Sequence, residues 1–281
     1  MPVLTIARLT ILEASRRKLL LALGVLTVVV ILLTSWGFSR LPTMNNVTPA
    51  EVRLASSQLT ILVAFMFSGV LALGSTLVAA PSIASDIESG IALAILPRPI
   101  RRSEVLMGKW LGLAALVILY AVASGLLELL GIWLATGYTP PNPVAALAFV
   151  AAEGIILMTL ALLLSTRLAP MTGGVIALVL FFVAWIGGIA LAIGQGFNND
   201  TIINIGVSSR LLIPTDALWH GAIFYLEPSE ILAAARAAGR ARAGNPFFAD
   251  QPLPLTYLAW VVAWLAGLLA LANWSFARRD L

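Results

Sequence analysis

The chain has 281 residues, 60% of them hydrophobic and 11% charged, and its mean hydropathy is +0.99. A soluble domain carries about 45–50% apolar and about 25% charged residues, so the composition argues against a water-soluble enzyme and against a disordered or collagen-like chain. With no cysteine and one histidine there is no disulfide framework, thiol nucleophile or Cys- or His-rich metal site. The net charge of +4 comes from basic residues at the ends of apolar runs, which is membrane topology rather than a nucleic-acid surface.

In chain order, residues 2–18 mix Leu4, Ile6, Leu9, Ile11 and Leu12 with Arg8, Glu13, Arg16 and Arg17. That mixture predicts a helix lying on the membrane face. Crossing a hydrocarbon core about 30 Å thick takes about 20 apolar residues. Six stretches qualify, near Leu19–Phe38, Leu59–Ala80, Lys109–Tyr138, Val144–Leu164, Met171–Phe197 and Leu255–Trp274. The first is too long for a signal peptide, and no small-x-small cleavage site follows Trp36. Most Lys and Arg residues fall on one side if the N-terminus is cytoplasmic, among them Arg16, Arg17, Arg98, Arg101, Arg102, Lys109, Arg167, Arg278 and Arg279. The expectation is an all-α integral membrane protein with six transmembrane helices, an N-terminal interfacial helix and both termini cytoplasmic. It is read as one domain over residues 1–281.

Residues 198–254 are expected outside the membrane as an extracytoplasmic loop, broken into short pieces by Pro214, Pro228, Pro246, Pro252 and Pro254. Ser229–Ala243 reads as a short helix, with Arg236 and Arg240 one turn apart. Those arginines and Arg242 are read as solvated charge, and His220 as a surface or packing residue.

The segment between the second and third spans carries the most information. Ile83, Ile87, Ile91 and Ile95 recur every four residues, with Ser82, Ser85, Asp86 and Ser89 forming a polar stripe. This predicts an amphipathic helix over 82–96. Gly90 weakens it by about 1 kcal/mol relative to Ala, and Pro97-Arg98-Pro99 ends it. By spacing alone this is either an ordinary cytoplasmic surface helix or a docking element. The order of acidic pair, Gly90, apolar run, Pro99-Ile100-Arg101-Arg102-Ser103-Glu104 and Gly108-Lys109 resembles the cytoplasmic signature of the ABC-type-2 exporter permeases. The ending Phe276-Ala277-Arg278-Arg279-Asp280-Leu281 resembles that family's C-terminus, and Pro214–Trp219 resembles a segment of its bacterial members.

The resemblance implies a permease subunit that docks a separate ABC ATPase and works as a homodimer or beside a sister permease. Residues 82–96 would be the coupling helix, with Ser85, Asp86, Glu88, Ser89 and Gly90 meeting the ATPase and helix 2–18 making a second contact. ATP and Mg would sit on the partner, so this subunit is expected to be no enzyme and to need no cofactor of its own. Its substrate would be hydrophobic or amphipathic, and its location the cell membrane. Gly108-Lys109 is followed by Trp110 and lacks the upstream glycine, so it is no phosphate-binding loop.

Glu128 and Glu153 are the charged residues well inside the spans, both about twelve residues from the Pro140-Pro141 turn. They are candidates to line a translocation path or hold a proton. The alternative is a pair of neutral carboxyls packing two helices together. Gly108 and Gly112 have the small-xxx-small spacing of a close helix crossing, and Gly173-Gly174, Gly187-Gly188, Gly194 and Gly196 make the fifth span smooth. Two other functions stay open at this point: a permease that transmits force to extracytoplasmic partners without moving a solute, and a gradient-driven transporter or channel.

Overall fold

The computed structural model describes residues 2–44, 47–88, 101–238 and 245–279. Every regular element among them is helical: α1 (Pro2–Ser15), α2 (Lys18–Arg40, then a tight turn at Leu41–Thr43), α3 (Pro49–Ala79), α4 (Pro81–Glu88), α5 (Arg102–Thr136), α6 (Pro143–Ser165), α7 (Pro170–Phe197), α8 (Asp200–Leu212), α9 (Thr215–Leu226), α10 (Ser229–Ala238) and α11 (Leu255–Ala277). In hydrocarbon a backbone group without a partner is costly, so a long apolar run forms a helix that pairs its own amides.

Six helical stretches are long and apolar enough to cross a membrane: Leu20–Thr43, Pro49–Glu88, Arg102–Thr136, Pro143–Ser165, Pro170–Phe197 and Leu255–Ala277. They coincide with the six predicted spans. The second begins ten residues earlier than its hydropathy suggests, because Thr48 and Glu51 form a capping box that starts the helix while its residues are still polar.

α6 is the central helix. Leu157, Met158, Ala161 and Leu162 are fully buried, and the helix is apolar on all sides, as a helix enclosed by others must be. α2 and α11 are peripheral, with only 11% of each span's apolar window buried against 67% for α6.

At the basic end of the bundle, α1 crosses α5 at Gly108 and Gly112. A Cβ on Gly108 would stand 2.7 Å from Ile6 Cβ, and one on Gly112 would stand 2.6 Å from the Ala7 carbonyl oxygen. The small-xxx-small spacing therefore marks a real crossing, and its partner is the N-terminal helix. Ala7, Thr10 and Ala14 face the bundle, while Leu4, Leu9 and Leu12 are exposed. The interfacial helix thus has one face on protein and an apolar edge left for the membrane.

The same end clasps the C-terminus. Arg102 of α5 donates to the carbonyls of Phe276 (3.1 Å), Ala277 (3.1 Å) and Arg279 (2.7 Å), at and just past the end of α11. Arg167 donates to Ser275 Oγ at 3.0 Å and to the Ser275 carbonyl at 3.1 Å, and Arg279 reaches the Thr166 carbonyl. Much of the C-terminal motif is thereby explained as a clamp on the last span.

Residues 198–226, expected as a loop broken at prolines, form two short helices that end beside Pro214 and Pro228 and pack back on α7 and α6. α8 turns at Asn198, whose φ of 55° is left-handed, and runs back antiparallel along α7. The crossing is built on glycine: a Cβ on Gly194 would meet Ile203 N at 2.7 Å, one on Gly206 would meet Leu191 Cβ at 2.5 Å, and one on Gly187 would meet Ser209 Oγ at 2.1 Å. From Phe197 back to Gly187 is about 15 Å of helix. The chain reverses at Ile213-Pro214, and α9 returns along α6 until the Tyr225 carbonyl accepts from Asn142 N at 3.2 Å. Hydropathy misses this pair because each helix is too short for a span and both carry polar residues. α10 matches the predicted helix from Ser229. Arg240 and Arg242 lie outside the described residues.

Candidate coupling segment and interior polar groups

α4 continues from α3 through Ala80, which remains in helical geometry, and its first residue is Pro81, where a missing amide costs little. Ser82, Ile83 and Ala84 are buried and Ile87 packs on the core, so Ile83 and Ile87 face protein. Glu88 is exposed on the other side. Of the five candidate contact residues, Ser85 bonds back to the Pro81 carbonyl at 2.5 Å, Asp86 is half-buried and Glu88 is open to solvent. Ser89 and Gly90 lie outside the described residues, as does the rest of the predicted helix to residue 96.

Asp86 Oδ2 lies 2.5 Å from Lys109 Nζ, and the same ammonium donates to the Ser82 carbonyl. Lys109 is only 5% exposed. A buried ammonium is tolerable only when paired and hydrogen-bonded, and α4 supplies both partners. The Gly-Lys pair at the start of α5 thus has two separate uses: Gly108 admits α1, and Lys109 holds α4. The sequence marked Lys109 as a topology residue and part of the family signature, without a partner for its charge. The acidic residue on the preceding helix was the signal that could have paired it.

Glu128 and Glu153 are both buried, at 7% and 2% exposure. Thr34 of α2 donates to Glu128 Oε1 at 2.6 Å, and Ser68 of α3 donates to Glu153 Oε2 at 2.8 Å. No hydrogen bond among the described residues joins the two carboxyls. Each ties its helix to a different neighbour. Glu128 also borders a cavity of about 40 Å³ shared with Thr60, Phe67, Gly125 and Leu147.

The turn between α8 and α9 holds a charge cluster that sequence reading did not single out. Arg210 Nε lies 2.7 Å from Asp216 Oδ2, and Asp216 is 4% exposed. His220 Nδ1 is 2.9 Å from the Asp216 carbonyl oxygen and 3.6 Å from Oδ2, which makes it a packing residue rather than a surface one. The Asp216 carboxyl rests directly on Gly188, where a Cβ would fall 2.0 Å from Oδ1. The last carbonyls of α8 are met from α11: Tyr257 Oη donates to Arg210 (2.7 Å), Trp260 Nε1 to Leu211 (3.2 Å) and Trp264 Nε1 to Leu212 (2.9 Å). Three aromatic donors on one face of α11 therefore complete a helix end that folds back along the spans. At the far end Tyr138 donates to the Leu226 carbonyl at 3.1 Å. Burial, with Glu227 and Glu230 nearby, pushes its phenol well above the ordinary value, so it remains a donor.

The family described as ABC-2 family transporter protein matches residues 4–281. No curated protein matches the chain. The match runs through the N-terminal helix, all six spans, the folded-back α8–α9 pair and most of the C-terminal clamp, so the chain belongs to the ABC-2 family of transporter proteins.

Proposed function

We propose that this protein is the permease subunit of an ABC exporter, coupling ATP hydrolysis on a separate nucleotide-binding subunit to movement of a hydrophobic or amphipathic substrate. Members of the family work with an ATP-binding subunit, which supports that kind of partner. The basic end would face the cytosol of a cell membrane, following the positive-inside rule. The functional unit would be a dimer, either of two identical chains or with a sister permease.

The observation that carries this reading is the Asp86–Lys109 pair. It joins the described start of the coupling segment to α5 through a buried ion pair, so a push on α4 is delivered to a span rather than absorbed by a loose loop. α1 crosses α5 within the next turn, at Gly108 and Gly112, and Arg102 ties α5 to the end of α11. A force received near residues 82–96 would therefore reach the N-terminal helix and two spans together. Glu128 and Glu153 are proposed as polar points on the path, where their hydroxyl partners on α2 and α3 would exchange as the helices move.

The test uses the permease co-purified with its ATPase in lipid nanodiscs. Glu88→Arg reverses an exposed charge on the solvent side of α4, away from Ile83 and Ile87. It should abolish permease-dependent stimulation of ATP hydrolysis while the melting temperature stays at the parent value. Full stimulation and full transport in that variant would overturn the docking role of the segment.

A further inference from the structure

An open groove of about 620 Å³ runs between α7 and α8. Leu180 and Val183 of α7 form its apolar side, and α8 lines it with Ile205 and Leu212 interleaved with Thr201, Asn204 and Ser208, all three of them exposed. Ser209 and Ile213 complete the lining, and none of these residues is charged. From 201 to 213 the groove follows α8 for about 18 Å, parallel to the spans.

The groove's position makes these polar residues informative. Ser209 touches Gly187 and Ile203 touches Gly194, so α8 lies beside the last ten residues of α7 rather than beyond them. Where those turns of α7 lie in hydrocarbon, an amide or a hydroxyl beside them finds no partner in the lipid. The α8 backbone is not the source of the demand, since Tyr257, Trp260 and Trp264 already complete its carbonyl end. What remains unmatched is a row of side-chain donors and acceptors beside an alkyl-lined channel. Its size is within the range of small-molecule sites, about 300–1,000 Å³. Asp200, next to Thr201 at the start of α8, is exposed, while Arg210 is occupied by Asp216.

We propose that this groove binds a single-chain amphiphile, with the alkyl chain against Leu180, Val183, Ile205 and Leu212 and an uncharged amide or hydroxyl group against Thr201, Asn204 and Ser208. Asp200, one residue before Thr201, disfavours an anionic head and tolerates a neutral or cationic one. This rests on the exporter reading and narrows its substrate class, yet the binding step needs no ATPase and is measured without one.

The probe is an N-acyl ethanolamide carrying a terminal diazirine, photolysed with the full chain in neutral phosphatidylcholine nanodiscs and mapped by peptide mass spectrometry. Labelling should concentrate in residues 180–183 and 201–213. It should fall about tenfold in an Asn204→Leu/Ser208→Leu variant, the loss expected for two hydrogen bonds of ordinary strength. The unlabelled ethanolamide should compete, and the matching fatty acid anion should compete poorly. Equal labelling of the exposed faces of α2 and α11, unchanged by the double substitution, would overturn the site by showing only annular lipid. Because the chain has no cysteine, Asn204→Cys gives one thiol. Efficient oxidative cross-linking of two copies at that thiol, with loss of labelling, would also overturn it and assign the groove to a second copy. Failure of labelling with intact permease-stimulated ATPase activity would reject the groove and leave the exporter reading standing.

Discussion

Gly188→Ala probes the folded-back α8–α9 pair with a single methyl group. The new Cβ would lie 2.0 Å from Asp216 Oδ1, 2.2 Å from Cγ and 2.3 Å from Oδ2. Carbon–heavy-atom contact is comfortable only near 3.5 Å, so the carboxyl must retreat by about 1.2–1.5 Å. The Arg210 Nε–Asp216 Oδ2 distance of 2.7 Å cannot survive that shift without a compensating move of α8, and Gly187 and Gly206 leave α8 no slack. Losing a charge-assisted hydrogen bond costs about 1.5–3 kcal/mol, and an uncompensated buried charge about 3–5 kcal/mol. At about 2–4 °C per kcal/mol for a chain of this order of size, the melting temperature in detergent should fall by about 5–10 °C. Gly24→Ala is the control, since nothing lies within 4 Å of its Cβ position. In an Asp216→Ala background the Gly188→Ala effect should nearly vanish, because the obstructed group is gone. A Gly188→Ala protein that melts with the Gly24→Ala control, or one whose loss is undiminished in the Asp216→Ala background, would refute the proposed contact.

Lys109→Met removes the ammonium paired with Asp86 and should cost up to about 3–5 kcal/mol, while Asp86→Asn/Lys109→Met should recover much of it; thermal melting of the three proteins checks the coupling. Gly108→Leu drives a side chain into Ile6 and the Val3 carbonyl, so α1 should detach and become accessible to limited proteolysis. Trp260→Phe and Trp264→Phe each keep most of the ring volume and remove one donor, at about 0.5–1.5 kcal/mol apiece, read as a melting shift or as faster amide exchange in α8. Glu128→Gln/Glu153→Gln should slow transport and change its pH dependence if the carboxyls serve the path; transport that is unaltered at every pH would leave them as packing groups.

Hydropathy along the chain was enough to place six spans, the surface helix at the N-terminus and an amphipathic element after Pro81, since burial in hydrocarbon acts on local composition and a helix satisfies its backbone alone. The Gly108/Gly112 spacing was legible for the same reason: removing two side chains from one helix face permits a close crossing whoever the partner is. The partner itself was not legible. That α1 fills that crossing, that Lys109 reaches back to Asp86, and that Glu128 and Glu153 each choose a hydroxyl on a separate helix depend on helix rotation, which local composition does not encode. The folded-back pair was hidden for a related reason. α8 and α9 are too short and too polar to read as membrane elements by themselves. Only the glycine face of α7, the Arg210–Asp216 contact and three aromatic donors from α11 make their position beside the spans tolerable, and those contributions come from segments far apart in the chain.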